Sequence, residues 1–351
     1  MKIVVLCGGV SPERDVSLST GATVARALRK KGHSVALIDS VRDIPDNISS
    51  LFTAEISEAA AHIGEKAPDL EELISRRNYF GKNVIEACRE ADIVFNAMHG
   101  AAGEDGTLQG CFDLLGIRYT GSDTKACVVS MDKTVAKRIM APVKGVRMPR
   151  GVSVMRDEFE DNELEYVKWV MDEVGLPMVI KPACGGSSVG VTIVEREEDV
   201  SPALELAFTY EYKAVAEEYV KGREFSVGVL GGRALPPIEI RPKSGFYDYK
   251  NKYQSGATDE ICPAEIPEKI ADKMKRAALL VHDKLGLTAY SRTDFIVNAE
   301  GEPYALEANT LPGMTPMSLL PQEAKAVGIE FPELCQIIIE ESMNKYDRTD
   351  S

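Results

Sequence analysis

The chain has 351 residues, 44% of them hydrophobic and 27% charged, and a net charge of −14 from 41 Lys+Arg against 55 Asp+Glu. This length suits two or three domains, the composition is that of a globular protein, and the acidic balance argues against a broad basic face for nucleic acid. Seven scattered cysteines without a CxxC pair argue against disulfides and structural zinc and point to reducing cytoplasm, and no apolar run approaches the ~20 residues of a membrane span.

Residues 2–7 begin directly behind Met1 as a buried strand, with no signal-peptide pattern. Gly8 and Gly9 follow, then a helix over about 15–31 stopped by Gly32, and a second strand over 34–38. This β-turn-α-β opening starts a doubly wound α/β layer. Residues 42–80 are polar, mostly helical in pattern, and read as an insertion. A buried strand over 92–97 runs into Met98-His99-Gly100, at the strand end where open α/β sheets bind ligands.

Composition changes near 122. One helix is predicted around 126–141 and another over 166–173, closed by Gly175 and Pro177. Strands over 178–181 and 191–195 flank a glycine-rich turn, 183–190, as a hairpin. A helix over 200–208 precedes strands over 214–220, 224–230 and 237–241. A loop over 243–262 and a helix over 267–285 lead to strands over 292–297 and 304–309, joined by a turn containing Gly301. Residues 331–345 close the chain as a helix.

The last hairpin carries the first chemical signal. Side chains alternate along a strand, so Arg292 and Asp294 share one face, and Glu307 and Asn309 share a face of the next strand. If the strands pair, Asp294, Glu307 and Asn309 converge as an oxygen-only set suited to Mg²⁺ carrying phosphates; a solvated polar face is the plain alternative. Lys181 ends the apolar strand Met178-Val179-Ile180, where a charge needs an anion. Lys133, taken alone, reads as a surface helix lysine. Gly185–Gly190 is either a simple turn or a loop whose N–H groups cover phosphates. Gly186-Ser187-Ser188-Val189-Gly190 also fits the nucleophile elbow of hydrolases, but a β-branched strand follows where that elbow needs a helix, and His282 lies mid-helix.

Taken in order, the motifs resemble the D-alanine–D-alanine ligases, a family of the ATP-grasp superfamily. They are Gly8–Ser17, Met98-His99-Gly100 with Gly103–Gly110, Met131-Asp132-Lys133, Val179–Pro182, Gly186–Gly190, Phe246–Tyr249 with Lys252-Tyr253, Arg292-Thr293-Asp294, Glu307–Thr310, and Pro312–Thr315 with Ser318-Leu319. The resemblance runs from about residue 3 to 335. It implies a mixed α/β ATP-grasp fold in three parts: an N-terminal substrate-binding domain over 1–122, a central part with the flap over 123–212, and a C-terminal part over 213–351. It implies ATP-driven joining of two D-alanines through an acylphosphate, for cell-wall precursor synthesis, in a cytoplasmic homodimer without nucleic-acid or membrane partners.

The resemblance also implies roles. Asp294, Glu307 and Asn309 would hold two Mg²⁺ (or Mn²⁺) ions; Lys133 and Lys181 would bind ATP phosphates, Ser187 and Ser188 would belong to the flap over them, and Lys252 would also bind ATP. Glu217 would meet the adenine amino group, the backbone at Glu218 and Val220 the ring edge, and Glu224 the ribose. Glu13, Ser17 and His99 would hold the first D-alanine. Arg292 and Gly313 would stabilise the oxyanion, and Ser318 and Leu319 would receive the second carboxylate. Glu13, Ser187 and Tyr253 would close the 243–256 loop, and Lys252-Tyr253 points to D-alanine as acceptor rather than D-lactate. D-serine or D-lactate as acceptor, and a non-catalytic nucleotide-binding relative, are the alternatives. The flap reads Ala183-Cys184-Gly185-Gly186 where relatives often carry a charged residue before the final glycine, and Pro316-Met317 stand where a histidine often precedes the serine.

Overall fold

A computed structural model describes residues 1–56, 70–75, 78–186, 188–243 and 258–347. Ser187, Lys252 and Tyr253 lie outside these residues, as does most of the 243–256 loop.

The opening layer follows from its apolar runs. β1 (Lys2–Cys7) is buried on both faces and pairs in parallel with β2 (Ser34–Asp39) and β3 (Ile93–Asn96), in the order β2-β1-β3. Strands covered on both faces read as continuous hydrophobic runs, as these do. The helix Arg14–Lys30 returns the chain from β1 to β2, and packs against the C-terminal helix Phe331–Asp347. One core therefore joins the two ends of the chain: Val24 and Leu28 share it with Leu334 and Ile338.

A second, antiparallel sheet has the order β4-β7-β5-β6, from Gly151–Met155, Lys213–Glu218, Met178–Pro182 and Thr192–Val194. The expected hairpin is its β5–β6 pair, with Met178 opposite Val194. The chain after 212 thus still adds a strand, β7, to this central sheet. The third sheet takes in β8 (Gly222–Leu230), β10 (Ile238–Pro242), β11 (Thr258–Ile261), β12 (Tyr290–Asn298) and β13 (Pro303–Asn309) in the order β11-β10-β8-β12-β13, with the short β9 (Arg233–Ala234) beside β8. Its last pair is β12 (Tyr290–Asn298) with β13 (Pro303–Asn309).

Three expectations change. The helix expected over 126–141 is two helices, Thr124–Met131 and Lys133–Met140, because Asp132 is extended and caps the second: its Oδ1 accepts from Thr134 N at 2.8 Å and Val135 N at 3.2 Å. The loop expected over 243–262 contains β11 (Thr258–Ile261), an edge strand on β10 (Ile238–Pro242). The region 42–80, expected to be mostly helical, carries among its described residues a 3₁₀ turn, Ile48–Phe52, and a short helix, Glu71–Ser75. All seven cysteines are free. Among the described residues, no helix is long and apolar enough to cross a membrane.

Candidate active site

The two antiparallel sheets face each other across a cavity of about 390 Å³, within the range of small-molecule sites. Lys133, Lys181, Ser188, Glu217, Glu218, Val220, Glu224, Asp294 and Glu307 all line it, so nine of the expected residues meet in one place.

Helix Lys133–Met140 supplies one wall. Its start is docked on the glycine-rich turn: Lys133 N donates to Ala183 O at 3.0 Å and Nζ to Gly185 O at 2.7 Å. Lys213 Nζ, 2.6 Å from Asp132 Oδ2, fixes the cap that begins the helix. From here Lys133 Nζ reaches Glu307 Oε2 at 3.2 Å.

Strand alternation supplies the deeper wall. β5 and β7 pair with Val179 opposite Glu217, and Lys181 lies two residues along β5 on the same face. Lys181 Nζ donates to Glu217 Oε1, and Lys137 Nζ donates to Oε2. Burial alone would raise the Glu217 carboxyl, but the charges of Lys181 and Lys137 more than offset it and hold it below the usual range. Lys137 had no assigned role in the sequence reading. Its signal was available: it stands one helical turn after Lys133, on the same face. Glu218 N donates to Arg150 O at 2.8 Å, so this N–H is already committed within the sheet edge.

The last hairpin does converge. Asp294 stands opposite Glu307 and Arg292 opposite Asn309, with a bulge after Asp294. Arg292 grips Asp294 through Nε and Nη2, both at 2.9 Å; Asn309 Nδ2 donates to Asp294 Oδ2 at 3.0 Å, and Ser226 Oγ to Oδ1 at 2.7 Å. Two carboxylates and one amide form a hard-cation donor set that a polyphosphate's oxygens would have to complete. Among the described residues no three His, Cys, Asp or Glu side chains form a metal-holding cluster by themselves.

At the end of β3, His99 is buried, with Nε2 3.0 Å from Thr20 Oγ1 and Nδ1 3.5 Å from Glu104 Oε1. Burial raises the Glu104 carboxyl; this acid, in the 103–110 motif, had been given no role. Glu13 heads the first helix beside this turn and the flap: a Cβ on Gly100 would lie 3.1 Å from its Oε2, and one on Gly186 3.9 Å. Ser17 is less available. Its hydroxyl accepts from Gly8 N at 2.8 Å and donates to Ala97 O at 2.7 Å, riveting the glycine loop to the strand end. Gly313 and Ser318 adjoin, since a Cβ on Gly313 would meet Ser318 Oγ at 2.9 Å; Leu319 then starts the helix Leu319–Ala326 and is buried. His282 bonds Ser291 Oγ through Nδ1 at 2.7 Å, and burial lowers its pKa to about 4. The strand β6 follows the GxSxG turn, so the hydrolase elbow is absent.

Residues 2–122 match the family described as D-ala D-ala ligase N-terminus, and residues 141–340 match D-ala D-ala ligase C-terminus. The D-alanine–D-alanine ligase of Pediococcus pentosaceus is 40% identical over 361 residues, covering 99% of each chain. A crystal structure of the Bacillus anthracis D-alanine–D-alanine ligase complexed with ATP superposes with a TM-score of 0.75 at 30% identity, over 99% of each chain. The VanG D-Ala:D-Ser ligase of Enterococcus faecalis superposes with a TM-score of 0.75 at 28% identity, over 97% of this chain and 99% of its own.

Proposed function

This chain belongs to the D-alanine–D-alanine ligase family, and from that premise we propose that it joins two D-alanines at the expense of ATP. The γ-phosphoryl group passes to a carboxylate oxygen of the first D-alanine as the bond to ADP breaks. The amine of the second D-alanine then attacks the acyl carbon, the C–N bond forms, and phosphate leaves. The observation that carries this reading is the single cavity in which Lys133, Lys181 and Glu217 meet the carboxylates of the last hairpin.

In this reading Lys133 and Lys181 release their carboxylates and take the phosphates, with Ser187, Ser188 and Lys252 covering them. Glu217 accepts from the adenine amino group, the Glu218 carbonyl and Val220 N–H meet the ring edge, and Glu224 binds the ribose hydroxyls. Asp294, Glu307 and Asn309 would hold two Mg²⁺ ions, which neutralise charge on the transferring phosphoryl group when bound. Glu13 takes the first ammonium, His99 lies beside that substrate, and Ser17 braces the loop beneath it. Arg292 and the Gly313 N–H stabilise the tetrahedral oxyanion, while Ser318 and Leu319 receive the second carboxylate. Closure of the loop by Tyr253 with Glu13 and Ser187 keeps water from the acylphosphate. Tyr253→Phe is then expected to raise phosphate release without dipeptide; unchanged coupling would count against that role.

Likeness to a D-Ala:D-Ser ligase keeps D-serine as a second acceptor in view. Parallel assays with D-alanine, D-serine and D-lactate decide between them, and D-lactate preferred at neutral pH would refute the D-alanine reading. The cytoplasmic location and the homodimer implied by the resemblance belong to the same proposal; light scattering in solution tests the second.

A further inference from the structure

The buried knot in the cavity wall holds one more cation than a single ion pair with Glu217 requires. Glu217 is 3% exposed and carries a lysine on each oxygen. Of the two, Lys181 lines the cavity and Lys137 does not. Lys137 is held by a second bond as well, donating to Pro149 O at 3.0 Å. Burial pulls the Lys137 ammonium below its ordinary value, with Glu217 opposing and Lys181 adding to the fall.

A bound nucleotide changes this balance, on the reading given above. Lys181 leaves for the phosphates, and Oε1 of Glu217 turns to the base. A carboxylate this deep cannot stay ionised without a cation. Protonated, it could donate a hydrogen bond and would accept a 6-oxo purine as readily as a 6-amino one. Lys137 is the cation that has no reason to move.

We propose that Lys137 is a positioning residue, the standing counter-ion that keeps Glu217 ionised and aimed after Lys181 is drawn away, and that it thereby makes the base pocket select an amino-bearing purine over an oxo-bearing one. The inference rests on the assignment of Glu217 to the base.

The test compares ATP with inosine triphosphate, which differs at the reading position, in D-alanine-dependent phosphate release by the full-length enzyme. Lys137→Met is expected to raise KM for ATP on the order of tenfold, the weight of a hydrogen bond to a charged group, with much less change in kcat. The ATP-over-inosine-triphosphate preference narrows by a similar factor, the KM rise grows as pH falls, and Lys137→Arg restores both. Should Lys137→Met fail to fold, Lys137→Gln keeps a donor to Pro149 O without the charge and carries the same expectation. An unchanged preference in the uncharged variant overturns the proposal. Glu217→Gln separates the causes: if it narrows the preference while Lys137→Met does not, only the role of Lys137 fails; if neither narrows it, the base assignment fails as well.

Discussion

Two lysines enter the cleft with equally buried side chains, each 10% exposed, but the carboxylates they meet differ in depth: 27% exposed for Glu307 and 3% for Glu217. When Lys133 leaves Glu307, water or a divalent cation can take its place, so the pair opens at little cost. When Lys181 leaves Glu217 for a bound nucleotide, the proposed base contact covers the carboxylate, and Lys137 stays as its cation. The depth of the acceptor, more than that of the lysine, decides whether an ion pair can serve as a ligand site without a second cation behind it.

Three substitutions can break or sharpen this contrast. The largest effect is expected at the exposed end, where Glu307→Gln should lower metal-dependent turnover on the order of 10²–10³-fold, as loss of a charge-stabilising group does; near-normal dipeptide formation would refute the metal assignment. Stability should rank the other way. Glu217→Ala strands two buried ammonium groups and should cost about 3–5 kcal/mol, whereas Glu307→Gln should cost clearly less, because Lys133 keeps Gly185 O as an acceptor. Denaturant midpoints check this, and equal losses would dissolve the distinction.

The smallest effect comes from a third lysine. Lys345 lies 3.6 Å from the Tyr119 ring centroid and donates to Gly121 O at 3.0 Å, and no described carboxylate ion-pairs with it. Burial lowers its pKa from 10.5 to about 7. Between those values the unfolded chain holds a proton that the folded chain has lost. Stability from this group therefore rises with pH across the window and is lost as pH falls through about 7. Lys345→Met should flatten that slope in melts taken from pH 6.5 to 9.5; an unaltered slope would show that Lys345 does not titrate there.

The hairpin acids were legible because strand alternation and a short glycine turn put Asp294, Glu307 and Asn309 on one face, a local inference needing no distant contact. Lys181 was legible as a charge ending an apolar strand. Lys137 was hidden because its partner arrives from β7, 80 residues away, and because an apolar pattern running through 126–141 masked the break at Asp132 that orients the helix. β11 was hidden because Thr258-Asp259-Glu260-Ile261 is polar and becomes a strand only by pairing with β10. Ser17 lay in the right motif, yet its hydroxyl is committed to the backbone, which only the packing of β3 against the first loop reveals.

The most direct measurement is phosphate release from ATP and Mg²⁺ with D-alanine, scored in parallel for D-alanyl-D-alanine by mass spectrometry. The account predicts release that requires D-alanine and matches dipeptide one for one. Absence of D-alanine-dependent release, with D-serine and D-lactate equally silent, would contradict it and leave a nucleotide-binding protein without ligase activity.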